Sequence, residues 1–355
     1  TEAMLSDNSG RDLVSVAELA FDQNYKITAY RVNSLCNLGA YNSQLAQNIQ
    51  TVLFSKVLMG TYDVQTSWLN VKGIYTNTTQ VDAYRGAGRP EAIYVLERVM
   101  DRAARELGID PWELRHRNFI SPNSFPYKNT TGEIYDVGNF AKVLDHAARS
   151  ADLTGYPERK AESVSVGKLR GQGLCYYIES ILGNPSETSK VVFNEDDSVD
   201  ILVGTQSNGQ GHETTYAKFL SDQTGIPYEK INVIQGDSDL ILEGGGTGGS
   251  RSSTVQNNAT LVTVDAMIEG FSSFLAEKFR VPFQNISFVD TTQSFTSDHG
   301  HLKSFFGQSL NFLTCIGTSV KSGIALVFST SISKIDPSSQ FPEENQVGSF
   351  DPFLF

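Results

Sequence analysis

Three glycine-rich segments, each followed by a helical pattern, constrain the fold of this 355-residue chain more than any other feature. The segments are YRGAGRPEA at residues 84–92, NGQGHET at residues 208–214 and EGGGTGGSRSS at residues 243–253. Glycine allows backbone conformations that other residues avoid, and the free N–H groups at a helix start favour bound anions. Since two of the segments also carry arginine, the sequence predicts a site for a large ligand with several negative charges.

The first half of the chain alternates strand patterns with helix patterns. Two period-two stretches around residues 23–25 predict an antiparallel hairpin, and residues 71–85 predict a second strand pair. Apolar residues at helical spacing, with Pro90 in the first turn and Gly108 just past the end, predict a helix between them. Residues 139–153 predict a second amphipathic helix. These patterns are typical of an α+β fold with mixed sheets and packed helices.

The second half repeats this mixture after a polar segment without a clear period. It contains a predicted hairpin that turns at residues 196–197, a helix at about residues 213–224, a strand, and one long helix at residues 253–279. We therefore predict a first domain at residues 1–155, a linker at 156–168, a second domain at 169–311 and an unassigned tail at 312–355.

Charge and cysteine content exclude several classes of partner. The net charge of −12 and the lack of a Lys/Arg-rich run argue against nucleic acid and against anionic lipid surfaces. Three cysteines lie far apart without a C-x-x-C spacing, which predicts neither a disulfide framework nor a zinc site and favours a reducing, cytoplasmic compartment. No apolar stretch approaches the roughly 20 residues that span a bilayer.

The familiar nucleotide and zinc motifs fail in this chain. The G-x-G-x-x-G pattern that begins at Gly209 has Thr214 in its sixth place, and Gly167-Lys168 is followed by Leu169 rather than Ser or Thr. An H-E-x-x-H zinc site that begins at His212 would need a second histidine where Tyr216 stands. A metal bound directly by side chains is therefore not expected, and any metal would arrive held by its own organic ligand.

Several long stretches resemble the molybdenum hydroxylase family, in the family's own order. They are VDAYRGAGRPEA, GTQSNGQGHETTYAKFLSDQTGIP and EGGGTGGSRSS, and NLGAY, DRAARELGIDPWELRHRNFI and GLCYYIES fit the same pattern. The family comprises the large, molybdopterin-binding subunits of the xanthine dehydrogenase, aldehyde oxidase and carbon monoxide dehydrogenase group. The resemblance covers residues 6–269 and implies two molybdopterin-binding domains, with molybdopterin cytosine dinucleotide and its molybdenum across their interface.

The resemblance also implies which residues form the site. An active-site loop over the molybdenum would contain Arg85, Gly86 and Ala87. Two further sets would bind the cofactor, and no side chain is expected to ligate the metal. The first set is Gln210, Gly211, His212, Glu213 and Thr214; the second is Thr247, Gly248, Gly249, Ser250, Arg251 and Ser252.

Two departures from the family pattern bear on the reaction. Carbon monoxide dehydrogenases of this family carry A-Y-R-C-S-F-R with a copper-binding cysteine, whereas residues 83–89 read AYRGAGR. The chain is similar instead to the form II proteins of that group. The family's catalytic glutamate, a general base in a G-V-G-E setting, does not occur in these 355 residues. We therefore expect an interior piece of a longer polypeptide that is inactive by itself.

The resemblance implies hydroxylation of an aldehyde or an N-heteroaromatic carbon, with water as the source of oxygen. It also implies partner subunits, namely an FAD-binding medium subunit and a 2Fe-2S small subunit, in a dimer of heterotrimers that acts on a small-molecule substrate. Two alternatives stay open. One is a truncated, non-catalytic remnant that binds the cofactor or a subunit, and the other is a nucleotide-phosphate-binding domain without molybdenum.

Overall fold

The chain forms two compact units. The computed structural model describes residues 7–297 except 184 and 195, together with residue 2 and the backbone of residues 303–304 and 326–332. Unit 1 is Thr1–Ser180 and unit 2 is Ile181–Phe355. Apart from one strand, the predicted tail at residues 312–355 lies outside the described residues.

Unit 1 combines a three-stranded sheet with four helices of eight residues or more in its described part. The sheet contains β1 (Leu13–Phe21), β2 (Ile27–Gly39) and β3 (Ser67–Tyr75) in that order, and a small hairpin contains β4 (Tyr127–Lys128) and β5 (Ile134–Tyr135). The helices are α1 (Arg89–Leu107), α2 (Pro111–Asn118), α3 (Phe140–Ser150) and α4 (Tyr156–Ser165). A helical segment at residues 46–56, which includes a π-helical turn, precedes β3.

The core of unit 1 lies between one face of the sheet and α1. Tyr30 and Val32 alternate with exposed neighbours along β2, so that the period-two pattern turns one face inward. Leu96 and Met100 of α1 complete the same buried cluster. The predicted hairpin is confirmed, because β1 and β2 pair in antiparallel register.

The α1 helix is confirmed with its predicted ends. It begins at Arg89, with Pro90 in the first turn where a missing N–H is tolerated. Its last residue is Leu107, and the following Gly108 has a φ of 66°, in the left-handed region, and an N–H that bonds to the Ala104 carbonyl. This helix follows the first glycine-rich segment directly and therefore fixes the position of that segment.

The second predicted strand pair, at residues 71–85, is wrong. The strand β3 ends at Tyr75 and pairs in parallel with β2, and the segment that follows makes one isolated parallel bridge, between Val81 and Ser9, among the described residues. Side chains bond the turn instead: the Thr76 hydroxyl donates to Asn37 Oδ1 at 2.7 Å, and Asn37 Nδ2 donates to Thr78 Oγ1 at 2.9 Å. Such side-chain bonds of Asn and Thr compete with a strand ladder.

The segment predicted as a linker is instead mostly the helix α4, and the two units divide later, after Ser180. The helix was missed because its sequence is polar and presents few apolar residues at helical spacing. Residues 169–180, which were expected in the second domain, belong to unit 1. They have no regular secondary structure, but Leu174, Tyr176 and Ile178 pack against its core.

Unit 2 is a four-stranded sheet with two long helices in its described part. The sheet order is β12 (Leu326–Ile332), β6 (Glu187–Phe193), β7 (Val199–Val203) and β8 (Ile231–Ile234). The predicted hairpin of β6 and β7 is confirmed as an antiparallel pair, and β8 pairs in parallel with β7. The helices are α5 (His212–Thr224) and α6 (Ser252–Phe279), and a second small sheet contains β9 (Ile286–Val289), β10 (Ser294–Ser297) and β11 (Lys303–Ser304).

The long helix α6 passes through the core of unit 2. Met267, Phe271 and Leu275 pack there against residues of β6 and β7. Among the described helices, α6 alone is long and apolar enough to cross a membrane on length and composition, and half of its apolar window is buried inside the protein. The sequence-based expectation considered uninterrupted apolar stretches. It therefore did not include α6, in which small polar residues stand among the apolar ones.

Candidate cofactor site

Two of the three glycine-rich segments lie in unit 2. We call residues 206–211, which lead from β7 into α5, the first glycine loop. Gly209 and Gly211 have φ values of 97° and 81°, which only glycine adopts readily. A Cβ at either position would meet no atom within 4 Å, so the loop borders open space. No side chain caps α5, whose first turn therefore presents unpaired backbone N–H groups. Together these features form a cradle that suits an anion.

The second glycine loop, residues 243–251, leads into α6 in the same unit. Its backbone also enters the left-handed region, with φ values of 69° at Gly249 and 59° at Ser250. The Gly249 carbonyl accepts a hydrogen bond of 2.7 Å from the Leu182 N–H, which holds the end of the loop in place. No side chain caps α6, so this helix also begins with N–H groups that lack an intrahelical acceptor.

Thr247 and Gln206 join the two glycine loops. The Gln206 N–H donates to the Thr247 hydroxyl at 2.9 Å, and the hydroxyl donates to the Gln206 carbonyl at 2.6 Å. Both loops line a cleft of about 460 Å³, a volume that falls within the range of small-molecule sites. The first loop contributes Gln206 and Asn208 to its lining, the second contributes Gly244, Gly246 and Thr247, and Asp237 and Ser238 lie there as well.

The imidazole of His212 is the most unusual polar group at this site. The residue is only 5% exposed, and its Nε2 lies 3.1 Å from Gln210 Nε2. Among the described residues, no atom lies in hydrogen-bonding geometry with its buried Nδ1. Burial lowers the pKa of His212, although Glu213 and Gln235 act in the opposite direction. A buried polar atom without a partner is rare in folded proteins, and a bound ligand would supply the missing partner.

Side chains next to His212 stabilise the first glycine loop. Gln235 Nε2 donates to Glu213 Oε1, and Gln235 Oε1 accepts from the Ser207 N–H at 2.9 Å. Gln210 Oε1 accepts from the Asn208 N–H at 2.5 Å. The Glu213 carboxylate is thus engaged by an amide, while the neighbouring Thr214 remains exposed at the helix start.

The guanidinium of Arg251 points inward, where it shapes the second glycine loop. Arg251 and Glu187 are both 2% exposed, and Arg251 Nη1 lies 2.8 Å from Glu187 Oε2. The same nitrogen donates to the Gly246 carbonyl at 2.7 Å, and Nη2 donates to the Ser186 carbonyl. Glu187 neutralises its charge, so Arg251 sets the shape of the loop, and backbone N–H groups at the helix start are the donors that suit an anion.

The predicted active-site residues Arg85, Gly86 and Ala87 lie in unit 1, in the loop at residues 84–88 immediately before α1. We call it the Arg85 loop. Gly86, Ala87 and Gly88 have φ values of 96°, 32° and 89°, so three successive residues are left-handed. The Arg85 side chain is exposed, and its carbonyl accepts a hydrogen bond from Arg11.

Arg89 anchors this loop from the first position of α1. Arg89 is 2% exposed, and its Nη1 donates to the Gly86 carbonyl at 3.0 Å. Its Nε and Nη2 donate to the Ser180 carbonyl at 3.1 Å and 2.7 Å, and Nε lies 2.5 Å from Glu179 Oε1. No local sequence pattern predicts this contact, because Arg89 and Ser180 are 91 residues apart.

The predicted residues thus fall into two groups, one in each unit. Thr247 of the second set bonds to Gln206, which precedes the first set, and of the predicted cofactor-binding residues only Thr247 lines the cleft. Arg85, Gly86 and Ala87 form a loop in unit 1. Sequence reasoning missed Gln206, Gln235 and Glu187, although Gln206 lies inside the quoted GTQSNGQGHE motif. Asp237 and Asp239 form a polar turn, with the Asp239 N–H bonded to Asp237 Oδ1 at 2.9 Å.

The residues in unit 2 fit a phosphate-bearing cofactor. The backbone N–H groups at the two uncapped helix starts lack intrahelical acceptors, and one buried imidazole nitrogen has no partner among the described residues. The glycine positions leave space for a ligand that would supply acceptor atoms to these groups. This donor set suits anionic oxygens of a ligand. Among the described residues, no cluster of three or more His, Cys, Asp or Glu side chains suits a metal ion.

Two family models match the chain, and both describe a molybdopterin cofactor-binding domain. They cover residues 1–119 and residues 146–340. The fold and the paired glycine loops therefore define a molybdopterin-binding protein. The chain belongs to the molybdenum hydroxylase large-subunit family, which includes the xanthine dehydrogenase and carbon monoxide dehydrogenase large chains.

Curated relatives agree with this assignment. The carbon monoxide dehydrogenase large chain of Afipia carboxidovorans is 32% identical over 74% of this chain and 35% of the relative. The nicotine 6-hydroxylase large subunit of Paenarthrobacter nicotinovorans is 29% identical over 72% of this chain and 33% of the relative. The matched region thus spans about a third of the length of these relatives.

Solved structures show the same fold. Reconstituted CO dehydrogenase from Oligotropha carboxidovorans superposes with a TM-score of 0.71 at 27% identity, over 94% of this chain and 43% of that one. Quinoline 2-oxidoreductase from Pseudomonas putida 86 superposes with a TM-score of 0.74 at 22% identity, over 94% and 44%. The predicted α+β fold with mixed sheets and packed helices is confirmed.

Proposed function

We propose that this chain is the molybdopterin-binding part of an oxidoreductase large subunit that hydroxylates an aldehyde or an N-heteroaromatic carbon with water. One observation carries the proposal. Thr247 joins two glycine loops that line one cleft, each loop precedes an uncapped helix, and the buried His212 begins the first of these helices. Such an arrangement gathers backbone N–H groups for a phosphorylated cofactor.

In this proposal the cofactor is molybdopterin cytosine dinucleotide with its molybdenum. Residues 210–214 and 247–252 hold the phosphate-bearing side through backbone N–H groups, and His212 Nδ1 bonds to an atom of the cofactor. When bound, the molybdenum supplies two-electron redox chemistry and activates water. Arg251 contributes indirectly, since its pairing with Glu187 fixes the shape of the second glycine loop.

The Arg85 loop orients the substrate in this proposal. The Arg85 guanidinium is exposed, while its own carbonyl is held by Arg11 and the following residue by Arg89. An anchored backbone with a free-standing cationic side chain can bind an electron-rich oxygen or ring nitrogen of a small substrate. Gly86 and Ala87 bring the backbone close to the reacting group because neither carries a large side chain.

We further propose that the reaction does not use copper. The family's copper ligand is a cysteine, and Gly86 stands at its place. A Cβ at Gly86 would lie 2.5 Å from Pro90 Cγ and 2.7 Å from Pro90 Cδ, and the φ of 96° disfavours any side chain. The loop is therefore built around a glycine and has no room for a thiolate at this position.

The partners of this proposal are an FAD-binding medium subunit and a 2Fe-2S small subunit, in a cytoplasmic dimer of heterotrimers. Support comes from the relatives, several of which are named as subunits of larger enzymes. They include a nicotine 6-hydroxylase large subunit and the gamma subunit of a 6-hydroxypseudooxynicotine dehydrogenase complex. Electrons from the molybdenum would leave through these partners.

A dye-linked oxidation assay of the enzyme complex that contains this chain tests the proposed reaction. Aldehydes, N-heteroaromatic compounds and carbon monoxide are offered as substrates, with and without added copper. We expect turnover of an aldehyde or a heteroaromatic compound and none of carbon monoxide. Copper-dependent oxidation of carbon monoxide would refute the proposal, and cofactor binding without turnover of any compound would favour a non-catalytic remnant.

A further inference from the structure

The Arg85 loop holds a conformation that it would not adopt alone. Gly86, Ala87 and Gly88 are all left-handed, and Ala87 reaches a φ of 32° although it carries a Cβ. Non-glycine residues in such regions persist only where the surroundings determine the backbone. One bond lies inside the loop, from the Ala87 N–H to the Tyr84 carbonyl at 2.7 Å. Side chains outside the loop, those of Arg11 and Arg89, also bond to its backbone.

Arg89 supplies the anchor that connects this loop to another segment. Its Nη1 donates to the Gly86 carbonyl, while its Nε and Nη2 both donate to the Ser180 carbonyl. The planar fork of arginine can make these bonds at the same time, whereas the single ammonium of lysine cannot. The position of Gly86 is therefore tied to the position of Ser180.

Glu179 supplies the negative charge that stabilises the buried guanidinium of Arg89. Arg89 is 2% exposed, and a buried charge requires a partner of opposite sign. Glu179 Oε1 lies 2.5 Å from Arg89 Nε and also accepts a bond of 3.1 Å from the Ser180 N–H. The carboxylate thus binds the N–H of Ser180, the same residue whose carbonyl Arg89 binds.

The strap, residues 169–180, supplies a rigid base for Glu179. The Tyr176 N–H donates to Glu97 Oε2 at 2.8 Å, and the Tyr176 ring lies 4.9 Å from that of Phe119. Glu97 is itself paired with Arg115 at 3.0 Å, and both residues are buried. The strap is therefore fixed to the helical core of unit 1 shortly before it reaches Glu179.

We propose that Arg89 and Glu179 are positioning residues that hold the Arg85 loop in its left-handed conformation, with the strap as their support. That the loop serves substrate rests on the proposed function. The positioning itself does not depend on molybdenum, so it can be tested in the chain alone.

Hydrogen exchange followed by mass spectrometry on the 355-residue chain tests this inference. Arg89→Lys and Glu179→Ala should each raise the exchange rate of the loop amides, which include those of Ala87 and Arg89, by at least about tenfold. Glu179→Gln removes the charge beside Arg89 but keeps the oxygen that accepts from the Ser180 N–H, and it should restore part of the protection. Peptides around Tyr176 in the strap should exchange as before in the Glu179 variants.

Glu106→Gln provides the matched control. It breaks the exposed pair of Arg102 and Glu106 on the same helix and should leave loop exchange unchanged. Unchanged loop protection in Glu179→Ala would overturn the inference, and so would a uniform rise across unit 1, which marks a merely structural role. Because Glu179 is a partly exposed carboxylate, its variants remain informative if Arg89→Lys does not fold.

Discussion

Replacement of Glu187 by alanine tests the account of the second glycine loop. The Glu187 carboxylate accepts from Arg251 at 2.8 Å, from the Gly245 N–H at 3.2 Å and from the Thr188 N–H at 3.0 Å. Alanine would leave a buried guanidinium without its counter-ion and two N–H groups without their acceptor. Removal of one partner from a buried ion pair costs about 3–5 kcal/mol.

Urea denaturation measures this loss. With a slope of about 2 kcal/mol per M, the midpoint of unit 2 should fall by about 1.5–2.5 M in Glu187→Ala. Glu187→Gln keeps an acceptor oxygen and should lose about half as much. Circular dichroism reports both units, whereas fluorescence reports unit 1, because both tryptophans, Trp68 and Trp112, lie there.

Glu97→Ala in unit 1 is the matched comparison, since Glu97 pairs with the buried Arg115 at 3.0 Å. Glu97→Ala should lower the midpoint of the fluorescence transition, which reports unit 1. Glu187→Ala should leave that midpoint unchanged and lower the midpoint of the remaining circular dichroism transition, which reports unit 2. A shift of less than about 0.5 M in Glu187→Ala would refute the reasoning, because the pair would then contribute no more than a surface ion pair.

Three further predictions follow from local geometry. Gly211→Ala should destabilise unit 2 by about 1 kcal/mol or more in urea, because the φ of 81° disfavours a Cβ. The free energy of unfolding of unit 2 should fall as the pH drops through about 6.5, because burial lowers the pKa of His212 in the folded chain and protonation then favours the unfolded chain. Denaturation at several pH values measures this dependence, which His212→Gln should flatten. Gly86→Cys should raise hydrogen exchange in the Arg85 loop without creating a copper site, as elemental analysis would show, because its Cβ would meet Pro90.

Local signals in the sequence were sufficient for the elements that carry their own boundaries. Pro90 and Gly108 mark the ends of α1, and Gly225 marks the end of α5 with a φ of 74°. The two antiparallel hairpins also follow from short-range patterns. The parallel pairing of β2 with β3 does not, because it joins distant segments and leaves no local pattern.

The site was predictable only in part, for the same reason. The glycine loops are visible in the sequence, because unusual backbone conformations require glycine. The partners that shape them are not: Arg251 pairs with Glu187 across 64 residues and Arg89 binds Ser180 across 91. In the sequence Arg251 suggested a contact with an anion, whereas the structure shows a buried ion pair that sets the shape of the loop.

The content of molybdenum and nucleotide in the purified protein tests the central claim most directly. The protein is produced in a host that makes the dinucleotide cofactor, metal is measured by elemental analysis, and cytidine monophosphate is measured after acid release. We expect molybdenum and cytidine monophosphate in equal amounts, and a joint loss of both in Gly211→Val, which places a branched side chain in the cradle. A nucleotide without molybdenum, or neither component, in the folded protein would contradict the account.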